Sequence, residues 1–264
     1  MQLLLRLSGL TLLTLPVGCT IYTPLQPPAP VIQRQHEAEI SGGMRLSGHV
    51  EAAVAYSPLP HVLLRAAAGG NPLVHMSPDT VRFRVRQREV AAGTYWLVNP
   101  QWLVGGLGGV GWGEGTHWYT RHSAPGLLNF RPDSLWSYRY EARYRRTFGE
   151  VYVHRLGGEL FSFGGAYRLN AVRFTRFTND GVATGFQRTW RHEPQIFVRY
   201  GGQRRERGGW LAFQLSSGLS WDARYRKPAG RAGNRDAVEP RQGGLYTTFS
   251  VILRPHYFWL RQRD

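Results

Sequence analysis

From residue 36 onward, large apolar positions recur at every second residue, and no stretch keeps a helical period. Trp210–Trp221 (WLAFQLSSGLSW) is the clearest case. Leu211, Phe213, Leu215, Leu219 and Trp221 share one face, while Ala212, Gln214, Ser216, Gly218 and Ser220 share the other. Thr247, Phe249, Val251 and Leu253 alternate in the same way with Tyr246, Thr248, Ser250 and Ile252. Phe161, Phe163, Tyr167 and Leu169 do so with Ser162, Gly164, Ala166, Arg168 and Asn170. Period two sends successive side chains to opposite faces of a pleated strand.

This reading predicts ten strands, near 36–44, 47–56, 61–69, 84–97, 102–112, 146–155, 159–175, 194–202, 209–221 and 244–254. Short connections (57–60, 99–101, 156–158, 202–208) alternate with long ones (70–83, 113–145, 176–193, 222–243), and only the first, at 43–47, breaks the rhythm. An even number of antiparallel strands so connected predicts an all-β fold, a closed antiparallel up-and-down β-barrel. Its short turns would be periplasmic, its long loops outside and both termini periplasmic. Closure also removes the sheet edges that hydrocarbon does not tolerate. The small residues Gly106, Gly108, Gly164, Ala166, Ser216 and Gly218 are expected to face a crowded lumen. Trp102, Tyr152, Trp210, Trp221, Tyr246 and Trp259 fall near strand ends, where interfacial aromatics belong. The alternative is a soluble periplasmic barrel binding an apolar ligand, with the large residues inside. The direction of Leu211, Phe213 and Leu215 separates the two.

The N-terminus reads as an address. Residues 1–18 (MQLLLRLSGLTLLTLPVG) carry one charge, Arg6, and a Leu-rich run too short for a stop-transfer helix, which fits a secretory signal. The run ends at Gly18-Cys19, and Cys19 is the single cysteine of the 264 residues. A small residue before Cys at that place resembles a bacterial lipobox, with Pro16 where Leu is usual and Leu15 one position earlier. The expectation is a lipid anchor on Cys19; the other reading is an ordinary signal with an incidental cysteine. Each acyl CH₂ buried would contribute about 0.8 kcal/mol. Residues 19–35 follow with Pro24, Pro27, Pro28 and Pro30, which favour an extended Pro-rich tether outside any packed element. The barrel domain is then 36–264.

Taken together, the Gly18-Cys19 end of the signal, TIYTPLQPPAP, and the segments AVAYSPLPHVLL and EPQIFVRYGGQ resemble lipid-anchored outer-membrane β-barrel proteins of Bacteroidota. The resemblance implies location and architecture, with no activity attached. Many outer-membrane barrels end on an aromatic residue; here HYFWLRQRD leaves Phe258 or Trp259 for that role.

Charge changes the picture less than its size suggests. The chain carries 33 Lys+Arg against 17 Asp+Glu, a formal +16, and Lys227 is its only lysine. Parity places Glu51, Arg65, Glu89, Arg168 and Arg199 on the lumen side. Buried charges need partners, so these residues are expected to form a network that fills the lumen, with Glu51 and Arg65 nearly opposite across the turn at 57–60. In Trp136–Arg146 (WSYRYEARYRR) arginines alternate with aromatics, a pattern read as a strand extension above the membrane. Such interleaving suits single-stranded nucleic acid in other settings. In an exported barrel nucleic acid is set aside, and the forked guanidiniums of Arg139, Arg143 and Arg145 are assigned to phosphates of outer-membrane glycolipid, or to an unidentified protein partner.

Catalytic patterns are scarce. The nine histidines form no metal spacing, and GGLGGVGWGEG precedes no helix, so it reads as a strand and loop rather than a dinucleotide fingerprint. No catalytic residue, metal or cofactor is assigned. The sequence therefore leads to a non-enzymatic outer-membrane barrel lipoprotein with a structural or surface-interaction role and a plugged lumen. A barrel-borne lipid hydrolase is the third reading.

Overall fold

Strong alternation along the chain produces strands long enough to cross a bilayer and pair on both sides. A computed structural model describes residues 21–71, 81–122, 135–157, 160–201, 209–223 and 243–259. Among them the strands are β1 (Ala38–Arg45), β2 (Val50–Tyr56), β3 (Val62–Gly70), β4 (Val81–Asn99), β5 (Trp102–His122), β6 (Leu135–Arg155), β7 (Phe161–Asn179), β8 (Val182–Ala183), β9 (Arg188–Tyr200), β10 (Leu211–Asp222) and β11 (Gly244–Leu253). A one-turn helix, α1 (His256–Trp259), follows. All pairings are antiparallel. Ten strands form a closed ring in which β6 pairs both β5 and β7, and β1 pairs both β2 and β11. The short β8 lies outside the ring, paired only to the end of β7 through a turn whose Asp180 and Gly181 both have positive φ (47° and 83°). A two-residue turn of that hand matches the twist of its flanking strands.

The wall is uneven. β4 to β7 run for 19 to 21 residues, whereas β1 to β3 run for 7 to 9. Most of the predicted connection 113–145 is therefore strand. Pairing continues from Trp102–Arg155 up to His122–Leu135, so both the glycine-rich stretch and WSYRYEARYRR belong to the wall. Likewise, much of the predicted connection 176–193 is taken up by β7, β8 and β9. The reason is that inward positions here carry large residues: Tyr140, Tyr144, Phe148 and Tyr152 all face the lumen. Glycine on the neighbouring strand makes the room. Gly105 lies opposite Tyr152, Gly113 opposite Tyr144 and Gly218 opposite Tyr246, and a Cβ on any of the three would overlap the ring.

Two expectations about faces change accordingly. Gly106 and Gly108 point outward beside Val104 and Val110, while Leu103 and Leu107 point in, because both faces of this strand are apolar and size alone does not set its parity. Of the aromatics read as interfacial, Tyr152 and Tyr246 are buried in the lumen, and Trp210 and Trp221 are exposed outside.

The outward face of the ring carries an apolar belt. Phe213 and Leu215 point out on β10, as do Phe161 and Phe163 on β7, Ile196 and Val198 on β9, and Phe249 and Val251 on β11; Leu215 is 57% and Ile196 71% exposed. A soluble barrel would turn these residues inward.

Residues 21–32 occupy the inside. The Pro-rich stretch, read as a tether outside packed structure, is extended but almost wholly buried in the lumen; Ile21, Leu25 and Ile32 are 0% exposed. Its start packs with Tyr140, Tyr144, Phe174 and Phe177 near the long connections. Its end packs with Leu63, Leu103, Tyr152 and Phe197 near the short turns. The chain thus crosses the barrel lengthwise before entering β1. Residue 21 lies at the opposite mouth from α1. The segment takes this route because the lumen supplies partners for its backbone. Residues 1–18 and Cys19, read as signal and anchor, lie outside the described residues.

Candidate functional site

The lumen of the described barrel holds seven buried arginines (Arg45, Arg65, Arg146, Arg168, Arg191, Arg199, Arg254) and six buried carboxylates (Glu39, Glu51, Glu89, Glu150, Glu193, Asp222). It is close to neutral, so nearly all of the +16 lies elsewhere on the molecule. Every one of these residues sits at an inward position of its strand or just beyond a strand end.

The centre is a cluster of three guanidiniums around two carboxylates. Arg65 of β3 makes a two-point pair with Glu150 of β6, at 2.8 Å for both contacts, and reaches Glu89 of β4 at 3.3 Å. Arg146 of β6 contacts Glu89 at 2.7 Å, and Arg168 of β7 contacts Glu89 at 3.0 Å and Glu150 through its Nε at 2.8 Å. Forked donors on planar acceptors give the strong form of this bond. Toward the short turns, Glu39 takes Arg199 at 3.0 Å and Arg254 at 3.4 Å. Toward the long connections, Glu51 pairs with Arg45 at 3.3 Å.

Of the lumen residues read from sequence, Glu51, Arg65, Glu89, Arg168 and Arg199 are all buried inside. The cluster brings Arg65, Glu89 and Arg168 together and leaves Glu51 and Arg199 in separate groups. Glu51 and Arg65 are not opposite each other: Arg65 faces Ala55 and Glu51 faces Gly69, four residues along the hairpin, so each finds a different partner. Sequence reasoning missed Arg146 and Glu150, although both fall within the predicted strand 146–155 and share the inward parity of Phe148 and Tyr152. It also missed Glu193 and Arg191, which fell in a predicted loop.

These charges hold residues 21–32. Backbone carbonyls of Pro24, Leu25 and Ala29 accept from Arg45 (2.8 Å), Arg168 and Arg199 (2.7 Å). The amides of Gln26 and Val31 donate to Glu51 and Glu39. The Gln26 side chain bonds Glu193 and Tyr246, and the Tyr22 hydroxyl donates to Glu193 at 2.9 Å. The prolines suit this setting. An extended Pro-rich strand makes no internal hydrogen bonds, so its carbonyls stay free for arginine, and each proline removes an N–H that burial would otherwise leave unmet.

At the long-connection mouth, His49, in the turn between β1 and β2, is fully buried and contacts Asn71 at 2.8 Å. Burial, helped by the nearby Arg45 charge, lowers its pKa to about 4, so it is neutral at pH 7.

The arginines assigned to glycolipid, Arg139, Arg143 and Arg145, all point outward from β6. Arg139 is engaged by Glu141 at 2.5 Å and lies over Trp118 with its guanidinium 4.9 Å from the ring centre. Arg143 is 4.0 Å from Glu114. Arg145 faces Trp112 on one side and Arg173 on the other. Among the described residues no cluster of His, Cys, Asp and Glu could hold a metal ion.

No family model and no curated protein matches the sequence. Among solved structures, the chain is similar to the outer membrane protease OmpT from Escherichia coli, with 9% identity over 83% of this chain and 93% of that one and a TM-score of 0.43. It is also similar to the NanC porin (12% identity, 81% and 97% covered, TM-score 0.36). The translocator domain of the autotransporter NalP from Neisseria meningitidis is a third (12% identity, 83% and 85% covered, TM-score 0.36). Each likeness is one of barrel architecture.

Proposed function

We propose that the chain is a non-enzymatic outer-membrane β-barrel lipoprotein with a structural or surface-interaction role. Its long connections face outward, its short turns face the periplasm, and its lumen is plugged by its own N-terminal segment. The observation that carries the membrane reading is the outward apolar belt. On β6 it is bounded by outward Arg145 and Arg155, with Val151 and Val153 between them. Ten residues at about 3.3 Å each, tilted by about 40°, give a band roughly 25 Å tall, the height of the apolar band of outer-membrane barrels. The Arg155 guanidinium lies 5.9 Å from the Trp102 ring centre, a pairing suited to the lower interface.

The plug reading rests on the burial of residues 21–32 and on their ties to Arg45, Arg168 and Arg199. Among the described residues the lumen is lined by charge and filled by residues 21–32, unlike the apolar cavity that a carrier of apolar ligands requires.

The test is insertion and conductance. The folded chain should require detergent, migrate differently on gels before and after heating, and insert into planar bilayers without steady conductance. Deleting residues 21–32 should open a steady conductance, and so should Glu39→Ala combined with Glu51→Ala, which spares the segment but removes the acceptors of its Val31 and Gln26 amides. Water-soluble folded protein overturns the membrane reading; an open channel in the unaltered chain overturns the plug.

A further inference from the structure

The outward face above the apolar belt is strongly basic on one side of the barrel. Following the register across the tall wall, Val90 (β4), Val110 (β5), Thr147 (β6), Ala171 (β7) and Trp190 (β9) form one row. One outward step nearer the long connections, the same path runs Arg88, Trp112, Arg145, Arg173, Arg188. The next step gives Arg86, Glu114, Arg143, Arg176. All of these arginines are exposed. Arg143 has Glu114 nearby and Arg176 has Glu141 at 3.7 Å. Among the described residues, Arg145, Arg173 and Arg188 have no carboxylate within ion-pair distance, yet they are direct cross-strand neighbours.

Neighbouring strands are about 4.8 Å apart, and like charges placed directly opposite destabilise a sheet. Three adjacent guanidiniums on three consecutive strands therefore call for an anion that all three can share. The groove they border has Arg145, Arg173 and Arg188 at one end and Val110, Ala171 and Trp190 at the other. A ligand that matches both ends carries phosphate beside hydrocarbon, held at the level where the belt gives way to charge.

We infer that this face binds a phosphorylated glycolipid of the outer leaflet. Its phosphate is shared by Arg145, Arg173 and Arg188, and its acyl chain runs down past Ala171 and Trp190. The inference rests on the membrane-barrel reading and moves the glycolipid contact away from Arg139, which is already paired.

The test uses the full folded chain in mild detergent and reads the shift in unfolding temperature as each probe is titrated. A bis-phosphorylated glycolipid should stabilise the chain. Its dephosphorylated form, phosphatidylglycerol and inorganic phosphate should each act at least tenfold more weakly. The triple variant Arg145→Gln, Arg173→Gln, Arg188→Gln should lose at least tenfold in apparent affinity, and Arg139→Gln less than twofold. If the triple variant does not fold, Arg173→Gln alone, at the centre of the row, should still lose severalfold. Equal response by the variants, or equal response to the dephosphorylated lipid, phosphatidylglycerol or free phosphate, overturns the site while heat-modifiable migration stays normal. Failure of the unaltered chain to insert into vesicles overturns the barrel reading and the site with it.

Discussion

The central cluster contains three guanidiniums and two carboxylates, which predicts an asymmetry between removing an acid and removing a base. Glu89→Gln deletes the carboxylate that touches Arg65, Arg146 and Arg168 at 3.3, 2.7 and 3.0 Å. The side chains involved are at most 2% exposed, so the surplus rises to two positive charges with little water to screen them. Breaking a buried pair from one side costs about 3–5 kcal/mol. Glutamine keeps the volume and one acceptor, so the expected loss is electrostatic. Arg146→Gln does the opposite, leaving two arginines on two carboxylates, and should cost about 1–2 kcal/mol, chiefly for its lost hydrogen bonds. Urea titration of the detergent-folded barrel, followed by tryptophan fluorescence, measures both. At about 1.4 kcal/mol per tenfold, Glu89→Gln should shift the folding equilibrium by roughly two to three and a half orders of magnitude, and Arg146→Gln by about one. The double variant should recover part of the Glu89→Gln loss. Equal losses for the two single variants, or a larger loss for Arg146→Gln, would refute the argument that charge balance holds this cluster together.

Gly113→Val should destabilise by about 1–3 kcal/mol through overlap with Tyr144, and Gly113→Val with Tyr144→Ala should fold better than the single variant in the same titration. His49, with its pKa lowered to about 4 by burial, favours the folded state only while neutral. Stability should therefore fall as pH drops below the ordinary histidine value, by about 2 kcal/mol at pH 5. Unfolding of the unaltered chain and of His49→Gln between pH 7.5 and 5 should diverge by that amount; parallel curves would count against it. An epitope placed directly ahead of Ile21 should be seen by antibody on intact cells, and one placed after α1 only once the outer membrane is permeabilised. The reverse result would mean the orientation is inverted.

Ring closure, strand number and outward belt were legible in the sequence because outward positions within the belt obey one rule, apolarity, on strand after strand. Phe213, Leu215, Phe161 and Phe163 follow it without exception. The lumen follows no such rule. Tyr144 faces inward because Gly113 on the next strand leaves room, and that pairing depends on register, which periodicity does not supply. The inward parity of Arg65, Glu89 and Arg168 could be read; their partners could not, since Glu150 lies 85 residues from Arg65 and meets it only across a closed ring. The Pro-rich segment was misplaced for a similar reason. Extended, proline-rich chain looks the same locally whether it crosses water or a row of arginines. Only the surplus of inward donors marks the difference, and that surplus appears once the strands are assembled.

The passage of residues 21–32 through the ring also constrains the order in which the molecule can be made. The segment leads through residues 33–37 into β1, and the ring closes where β1 meets β11, the last strand among the described residues. That join spans only Ile40–Arg45 on β1, against Trp102–His122 where β5 meets β6. A finished ring could be filled only by drawing the chain through it end first, past side chains that fill its bore. Assembly by laying the strands around the segment and zipping the short β1–β11 join last needs no threading. The segment then serves as a mandrel for the barrel, and the same short join is where the ring would part first under strain.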